Sequence, residues 1–523
     1  ERLNVSFPVD AHVAITGAVN DGGGAMSEAL ARLIPITGGR ICIGDKDIET
    51  LTEAVTGRRI AYVGPDTYLR SVSVAENLIY GLRHVPVDTA QGSPEEISQR
   101  ASRLTEARLA GNLELDPQAD WIDYESAGAT GPDDLGQRIL ETLVQVGLAE
   151  DIFEFGLKGT IDPAQDPEFA AAIVGVRRAL YSRLDTEPLR ELVVPFDPEH
   201  YNPNATIGEN LLFGTPVGKT FSAVNLSTND YSLEILDLAG LTDRLLEMGH
   251  SIAGTVVELF AGLAPDHPFF EQVSFMTADD LPEFEAILKR LAGVPLAQAD
   301  ATDKSRLLGL PFSYIEPRHR LGLLDRELMD LVLKGRALFA SRLPEALKSA
   351  VEFYDPDRYN AASSLQDNIL LGRVAYGIAM ASERVHKAIR EVLAEIGQSS
   401  LVYRVGLEFN VGTGGKRLNV VQRQKIGLAR ALLKRPDLVV VNRALAAMEE
   451  DSQRTVIENV RKSARNGSHR IGLVWVLANS KMAHGFDNLL AFKEGVLVSN
   501  GTPEKILGPG PADEADDPVH ISV

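Results

Sequence analysis

The chain has 523 residues, 44% hydrophobic and 24% charged, enough for roughly three domains or one domain carrying a large insertion. No run of about eighteen apolar residues occurs, so no segment reads as a membrane-spanning helix. The formal charge of −21 opposes a binder that relies on counterion release, so no nucleic-acid partner is expected, and the single cysteine, Cys42, excludes an internal disulfide. The chain begins at Glu1 without a secretory pattern, as a piece of a longer polypeptide would.

In chain order, "AHVAIT" reads as a strand. It leads into "ITGAVNDGGGAMSEALARL", Ile15 to Leu33, a glycine-rich turn that opens an apolar-periodic helix. Gly17 and Gly22 stand at the spacing of a phosphate-binding loop, G-x-x-x-x-G-K-[ST]. Gly23 and Gly24 occupy the lysine and hydroxyl positions. "GRICIGDKDI" reads as strand, turn and strand, with Cys42 expected as a small buried hydrophobe. "RRIAYVG" is another short strand. Much later, "QRQKIGLARALLKRPDLVVVN" reads as a helix closed by Pro436 and a buried strand, Leu438 to Val441. "IGLVWVLAN" and "NLLAFKEGVLVSNG" add strands. Strands alternating with helices at both ends predict an α/β fold with a mostly parallel sheet covered by helices. The final "GPGPADEADDP" reads as a solvated acidic tail.

The middle of the chain repeats. "YLRSVSVAENLIYG" from Tyr68, "YNPNATIGENLLFG" from Tyr201 and "YNAASSLQDNILLG" from Tyr359 align without gaps, making Asn77, Asn210 and Asn368 equivalent. A second element follows each: "VGLAEDIFEFG", "AGLTDRLLEMG" and "IGQSSLVYRVG", framed by Gly147 and Gly156, Gly240 and Gly249, Gly397 and Gly406. Two ordered motifs recurring three times mark duplication, and the unequal spacing marks insertions rather than a regular solenoid.

With these motifs in order, the chain resembles the nucleotide-binding (ATP-binding) domain of ABC transporters, especially the exporter type. "IAYVGPDTYLRSVSVAENLIYGL" resembles the Q-loop region. "VGTGGKRLNVVQRQKIGLARALLKRPDLVVVNRALAAMEEDS" resembles the signature, its helix, Walker B and the D-loop. "GLVWVLANSKMAHGFDNLLAFKEGVLVSNGTPEKIL" resembles the H-switch strand and C-terminal end. The resemblance implies a P-loop NTPase-like ABC ATPase core, a mostly parallel sheet plus an antiparallel β-subdomain, with an enlarged helical subdomain. The corresponding division is core, first part, 1–84; an insertion with duplicated Q-loop and helical-subdomain-like repeats, 85–351; helical subdomain and second part of the core, 352–507; acidic tail, 508–523.

The family's functional positions are replaced one by one. Its Walker A lysine falls on Gly23 and its magnesium-binding hydroxyl on Gly24. The Q-loop glutamine falls on Pro65, the Walker B aspartate on Asn442, the catalytic glutamate on Arg443, the D-loop aspartate on Glu449 and the H-switch histidine on Ala478. The signature appears as Leu418, Asn419, Val420, Val421 and Gln422. No catalytic residue is therefore expected with the family's chemistry. The nucleotide-contacting set implied by the resemblance is Gly17, Asn20, Asp21, Gly22, Gly23, Gly24 and Ala25, whose amides at a helix start attract phosphate without a side chain. Each lost charge-assisted hydrogen bond costs about 1.5–3 kcal/mol, so two or three such losses weaken ATP about a thousandfold or more, and Mg2+ loses both anchors. The expectation is a weak or non-hydrolysing ABC domain with a regulatory or structural role. As the resemblance implies, it would lie at the cytoplasmic face of a membrane, joined to a transmembrane domain and paired as a homo- or heterodimer of nucleotide-binding domains. Two alternatives are a divergent but active transport ATPase, for which Lys219 in "GTPVGKTF" imitates a P-loop ending, and a soluble ABC-like interaction scaffold.

Overall fold

The computed structural model describes residues 3–85, 93–116, 119–184, 190–260, 277–467 and 469–509. The acidic tail lies outside them except for Gly508 and Pro509. Twelve strands occur among the described residues. They are β1 His12–Thr16, β2 Cys42–Ile43, β3 Lys46–Asp47, β4 Ile60–Val63, β5 Val193–Pro195 and β6 Gly214–Pro216, then β7 Val351–Phe353, β8 Gly372–Val374, β9 Leu438–Asn442, β10 Gly472–Val476, β11 Asn488–Lys493 and β12 Val496–Gly501. The chain divides into two compact units, one of residues 1–155 and 406–520, the other essentially 156–405. Residues 85–155 thus belong with the first unit and 352–405 with the second.

The first unit is built on a six-stranded sheet in the order β12-β11-β1-β10-β9-β4. All neighbours are parallel except β12, which returns antiparallel along β11. Every residue of β1, β9 and β10 is buried, as expected for central parallel strands covered on both faces. Val13, Ile15, Val440, Val474 and Leu490 share one core cluster. The expected hairpin after the first helix is present as β2–β3, antiparallel, but Cys42 is exposed. A ribbon of two residues per strand exposes both positions of β2, so the cysteine has no layer to sink into.

The second unit is largely helical, with two antiparallel ladders, β5–β8 and β6–β7. Its central cluster includes Ile207, Leu246, Tyr314, Val332 and Phe339, each at most 3% exposed. The repeats fold alike. Ser73, Thr206 and Ser364 cap the helices Val74–Ile79, Ile207–Leu212 and Leu365–Leu370, each accepting from the backbone N–H three residues on. The asparagine in each helix turns back on its own loop. Asn77 Oδ1 accepts from the Arg70 N–H, Asn210 Oδ1 from Asn202, and Asn368 Oδ1 from Asn360, at 2.7–3.0 Å.

An arginine then closes each loop from a longer helix. Arg430 Nε donates to Asn77 O, Arg336 Nε to Asn210 O and Arg177 Nε to Asn368 O, at 2.8, 2.7 and 2.7 Å. A second nitrogen of each guanidinium reaches the same asparagine's Oδ1. Each arginine stands eleven residues after a capping side chain: Asn419, Asp325 and Asp166. The clamp is thus one device used three times.

Both tryptophans, Trp121 and Trp475, lie in the first unit, so indole fluorescence follows that unit alone while far-UV circular dichroism follows both. Arg336→Ala strands four carbonyl oxygens that now share one cation. The expected cost is about 3 kcal/mol. In urea titrations the dichroism midpoint should fall while the indole midpoint stays in place.

Candidate functional site

The carboxyl ends of β1, β9 and β10 converge where an open parallel sheet offers its ligand crevice. After β1 the chain makes the glycine turn, with left-handed φ of 149° at Gly17 and 94° at Gly22. The helix Gly23–Leu30 starts directly from Gly22, which carries no side-chain cap. Its first internal hydrogen bond, Met26 N–H to Gly22 O, leaves the amides of Gly23, Gly24 and Ala25 ahead of it without intrahelical acceptors. Asn20 and Ala25 are exposed and Gly23 is buried.

Packing explains two of the glycines. A Cβ on Gly17 would lie 2.6 Å from Phe492 O, and one on Gly23 2.7 Å from Ile15 Cγ2. A lysine at 23 would therefore have to displace the Ile15 methyl. Gly24 has room: a Cβ there would sit 3.6 Å from both Asn442 side-chain polar atoms.

Asn442 is 6% exposed and its Nδ2 donates to Tyr62 Oη at 3.0 Å. Burial raises the Tyr62 phenol above its ordinary pKa, with the Asn442 hydrogen bond opposing the rise. Glu28 also faces that phenol. The corner between Gly24 and Asn442 is thus lined by an amide and a phenol, with no carboxylate at 442 and no hydroxyl at 24. Hard divalent cations favour carboxylate and other oxygen ligands, and these two positions do not suit Mg2+. Among the described residues, no cluster of three or more histidine, cysteine or acidic side chains is placed to hold a metal.

Arg443, left-handed at φ 50°, lies against the glycine turn and donates from Nη2 to Gly17 O at 2.7 Å. Asp21 fastens the turn from within. Its Oδ2 accepts the Ala18 N–H at 2.6 Å and its Oδ1 the Glu494 N–H at 3.0 Å, while Gly495 N–H donates to Asp21 O. The Glu494 and Ala18 amides hold this carboxyl below its ordinary value of 3.8.

The other positions fall elsewhere. Pro65 is exposed, and its carbonyl accepts from the buried Gln424, whose Oε1 takes the Leu445 N–H. Ala478 is exposed just beyond β10, and Glu449 precedes the helix Glu450–Asn466. In the signature-like stretch, Leu418 is buried and Asn419 caps the helix Val420–Leu433 in a reciprocal box with Gln422. Gln422 Nε2 also donates to Asp151 at 2.7 Å. Val420 is half exposed at the first helical position. The structure therefore brings Gly17 to Gly24 together with Asn442 and Arg443, and gives the signature-like residues a different set of partners. Tyr62 and the carboxylate role of Asp21 were not found by sequence reading. Tyr62 read simply as a strand residue in "RRIAYVG".

A depressed carboxyl pKa makes the Asp21 tethers present above the unfolded value and lost as pH falls through the lower folded one. Protection of the Ala18 and Glu494 amides, each rate taken against that of an unstructured amide at the same pH, should hold down to pH 3.8 and fall below it. Asp21→Ala should remove that protection at every pH.

No protein-family model matches the chain. Among curated proteins it is 24% identical over 320 residues to the ATP-binding cassette sub-family B member 6 of Mesocricetus auratus, covering 58% of this chain and 34% of that protein. The same protein of Homo sapiens is 24% identical over 315 residues. The Energy-coupling factor transporter ATP-binding protein EcfA1 of Geobacillus kaustophilus (strain HTA426) is 27% identical over 193 residues, 36% of this chain and 64% of that protein. The chain spans about a third of the length of the sub-family B relatives it matches. These similarities support a relationship to the ABC transporters and their ATP-binding proteins, at low identity and over part of the chain.

Proposed function

We propose that this chain is the ATP-binding-cassette domain of an exporter-like transporter in which the nucleotide site is weak or non-hydrolysing and the role is regulatory or structural. The observation that carries this reading is the corner at Gly24. The family's metal anchors are replaced there by a glycine and by an amide already committed to Tyr62, while Arg443 at the position of the family's general base is bonded to Gly17 O. Arginine cannot take a proton from water at neutral pH. Phosphoryl transfer in P-loop enzymes rests on positioning and charge stabilisation, and no lysine stands at 23 and no acid at 442 or 443 to give it. The free amides at the helix start keep some attraction for phosphate, so residual ATP binding without Mg2+ belongs to the same reading.

On this reading the chain works beside a transmembrane domain, at the cytoplasmic face, paired with a second nucleotide-binding domain. The relatives that support this are an ATP-binding cassette sub-family B member and an ATP-binding protein named for a transporter. The rival ATPase built on Lys219 gains nothing from the fold. Lys219 is exposed in a turn, and the next helix begins only at Asp230, so no helix start follows it to hold a phosphate.

Calorimetric titration of the chain with ATP–Mg2+ should give a dissociation constant weaker than about 1 mM, with no phosphate release above buffer. Tight Mg2+-dependent binding with steady turnover would overturn the reading. Gly24→Ser with Asn442→Asp, which rebuilds both metal anchors at a position with space for a Cβ, should raise affinity in Mg2+ at least about tenfold. Lys219→Ala should change neither measurement.

A further inference from the structure

We propose that residues 156–405 form an internal dimer, two copies of one half-module related by a twofold axis, one contiguous and one assembled from the two ends of the unit, with no nucleotide site of its own. The last clause rests on the reading of the first unit as the nucleotide-type domain.

The two ladders carry the first argument. In β5–β8 the register pairs Val193 with Val374 and Pro195 with Gly372. In β6–β7 it pairs Val351 with Pro216 and Phe353 with Gly214. Every strand residue has a mate 158 positions away, and the pairs correspond one to one. Gly214 and Gly372 are packed alike: a Cβ would fall 2.6 Å from Glu352 O in one and 2.5 Å from Val194 O in the other, again mates.

The clamps divide the segments between halves. Arg336 closes on Asn210 within the contiguous half, whereas Arg177, from the start of the unit, closes on Asn368 near its end. Mates that touch each other must lie at the axis. Phe196 and Tyr354 are such mates, stacked with centroids 4.3 Å apart and planes 18° from parallel. Glu209 and Asp367 are also mates, and both bind the one guanidinium of Arg373.

Among the described residues, neither half leaves the helix start equivalent to Asn419 open to an anion. The helix starts equivalent to Asn419 carry carboxylates instead, Asp166 and Asp325, each accepting a backbone amide and paired with Arg404 and Arg244 respectively. A resident anion at a helix start answers the same amides and dipole that a phosphate would use.

Cysteine pairs test the exchange in the full chain. With Cys42→Ser as background, Val193→Cys with Val374→Cys and Pro216→Cys with Val351→Cys stand on opposed ladder residues, within disulfide reach. Both pairs should link under mild oxidation, as read by peptide mass mapping. A folded Val193→Cys/Val374→Cys chain that stays unlinked would overturn the pairing. If these variants do not fold, hydrogen exchange of Arg177→Lys and Arg336→Lys decides, since lysine lacks the fork. Arg177→Lys should quicken exchange about tenfold in 359–374 and not in 201–216, and Arg336→Lys the reverse. Arg177→Lys acting on 68–77 instead would mean that each copy closes in sequence order. Exchange of the wild-type chain with millimolar ATP–Mg2+ should show no protection within 156–405. Protection there overturns the nucleotide-blind claim. Protection confined to 17–24 supports it while counting against the weak-site reading of the first unit.

Discussion

A buried guanidinium is tolerable when its N–H groups find acceptors and costly when they do not. The fold depends on meeting that condition three times. Arg336 reaches the carbonyls of Asp197, Pro198, His200 and Asn210, and Arg177 those of Asp355, Pro356, Arg358 and Asn368. Burial lowers Arg336 only to about 10, so it stays charged near neutrality. The asparagine on the other side is equally constrained. It must accept from one amide and donate to loop carbonyls with a single planar group, and an ionised aspartate has no N–H to donate. Helix and loop are joined by the polar centre that each alone would leave unsatisfied.

The glycine turn is fixed by packing and by polar groups of the chain itself. Gly17 is required by the Phe492 carbonyl and Gly23 by the Ile15 methyl, reasons that belong to packing and would persist without any ligand. The turn also holds its shape from within. Asp21 ties it to the turn between β11 and β12, and Arg443 ties it from the end of β9. A cation and an anion of the chain itself, Arg443 and Asp21, thus both fasten the turn. The atoms that hold the turn in shape are distinct from the amides of Gly23, Gly24 and Ala25 at the helix start.

Much of this was legible in the residues. The apolar runs gave the central strands because parallel strands buried on both faces read as continuous hydrophobic stretches. The repeats marked three equivalent segments, and each forms a capped helix because Ser or Thr followed three residues on by an acid is a local signal. The arginine partners were not legible. Arg177 meets an asparagine 191 positions away, across a complete intervening copy, and nothing local marks which copy closes on which. Cys42 misled because its strand-like neighbours suggested a covered sheet, whereas a two-residue ribbon buries neither of its strand positions. Tyr62 was silent because a strand's alternation reports burial and not which polar atom the buried ring will meet.

The interruption of the first unit's chain by residues 156–405 has a geometric rationale. A domain accepts another within its chain when the acceptor's break and the guest's ends are each short spans. In the first unit, Phe155 before the break stacks on Phe409 after it, centroids 4.3 Å apart. In the second, Gly156 at one end lies against the backbone of Val402 near the other, so close that a Cβ would sit 2.1 Å from its carbonyl oxygen. The same crossing recurs inside the guest, where a Cβ on Gly249 would sit 2.0 Å from Leu307 O. Each unit thus draws its own ends together through its own contacts. Closing the chain through the guest then adds little more than loop entropy, which grows only logarithmically with length. That explains how a sheet whose strands are separated by some 370 residues of sequence, from β4 to β9, still assembles as one.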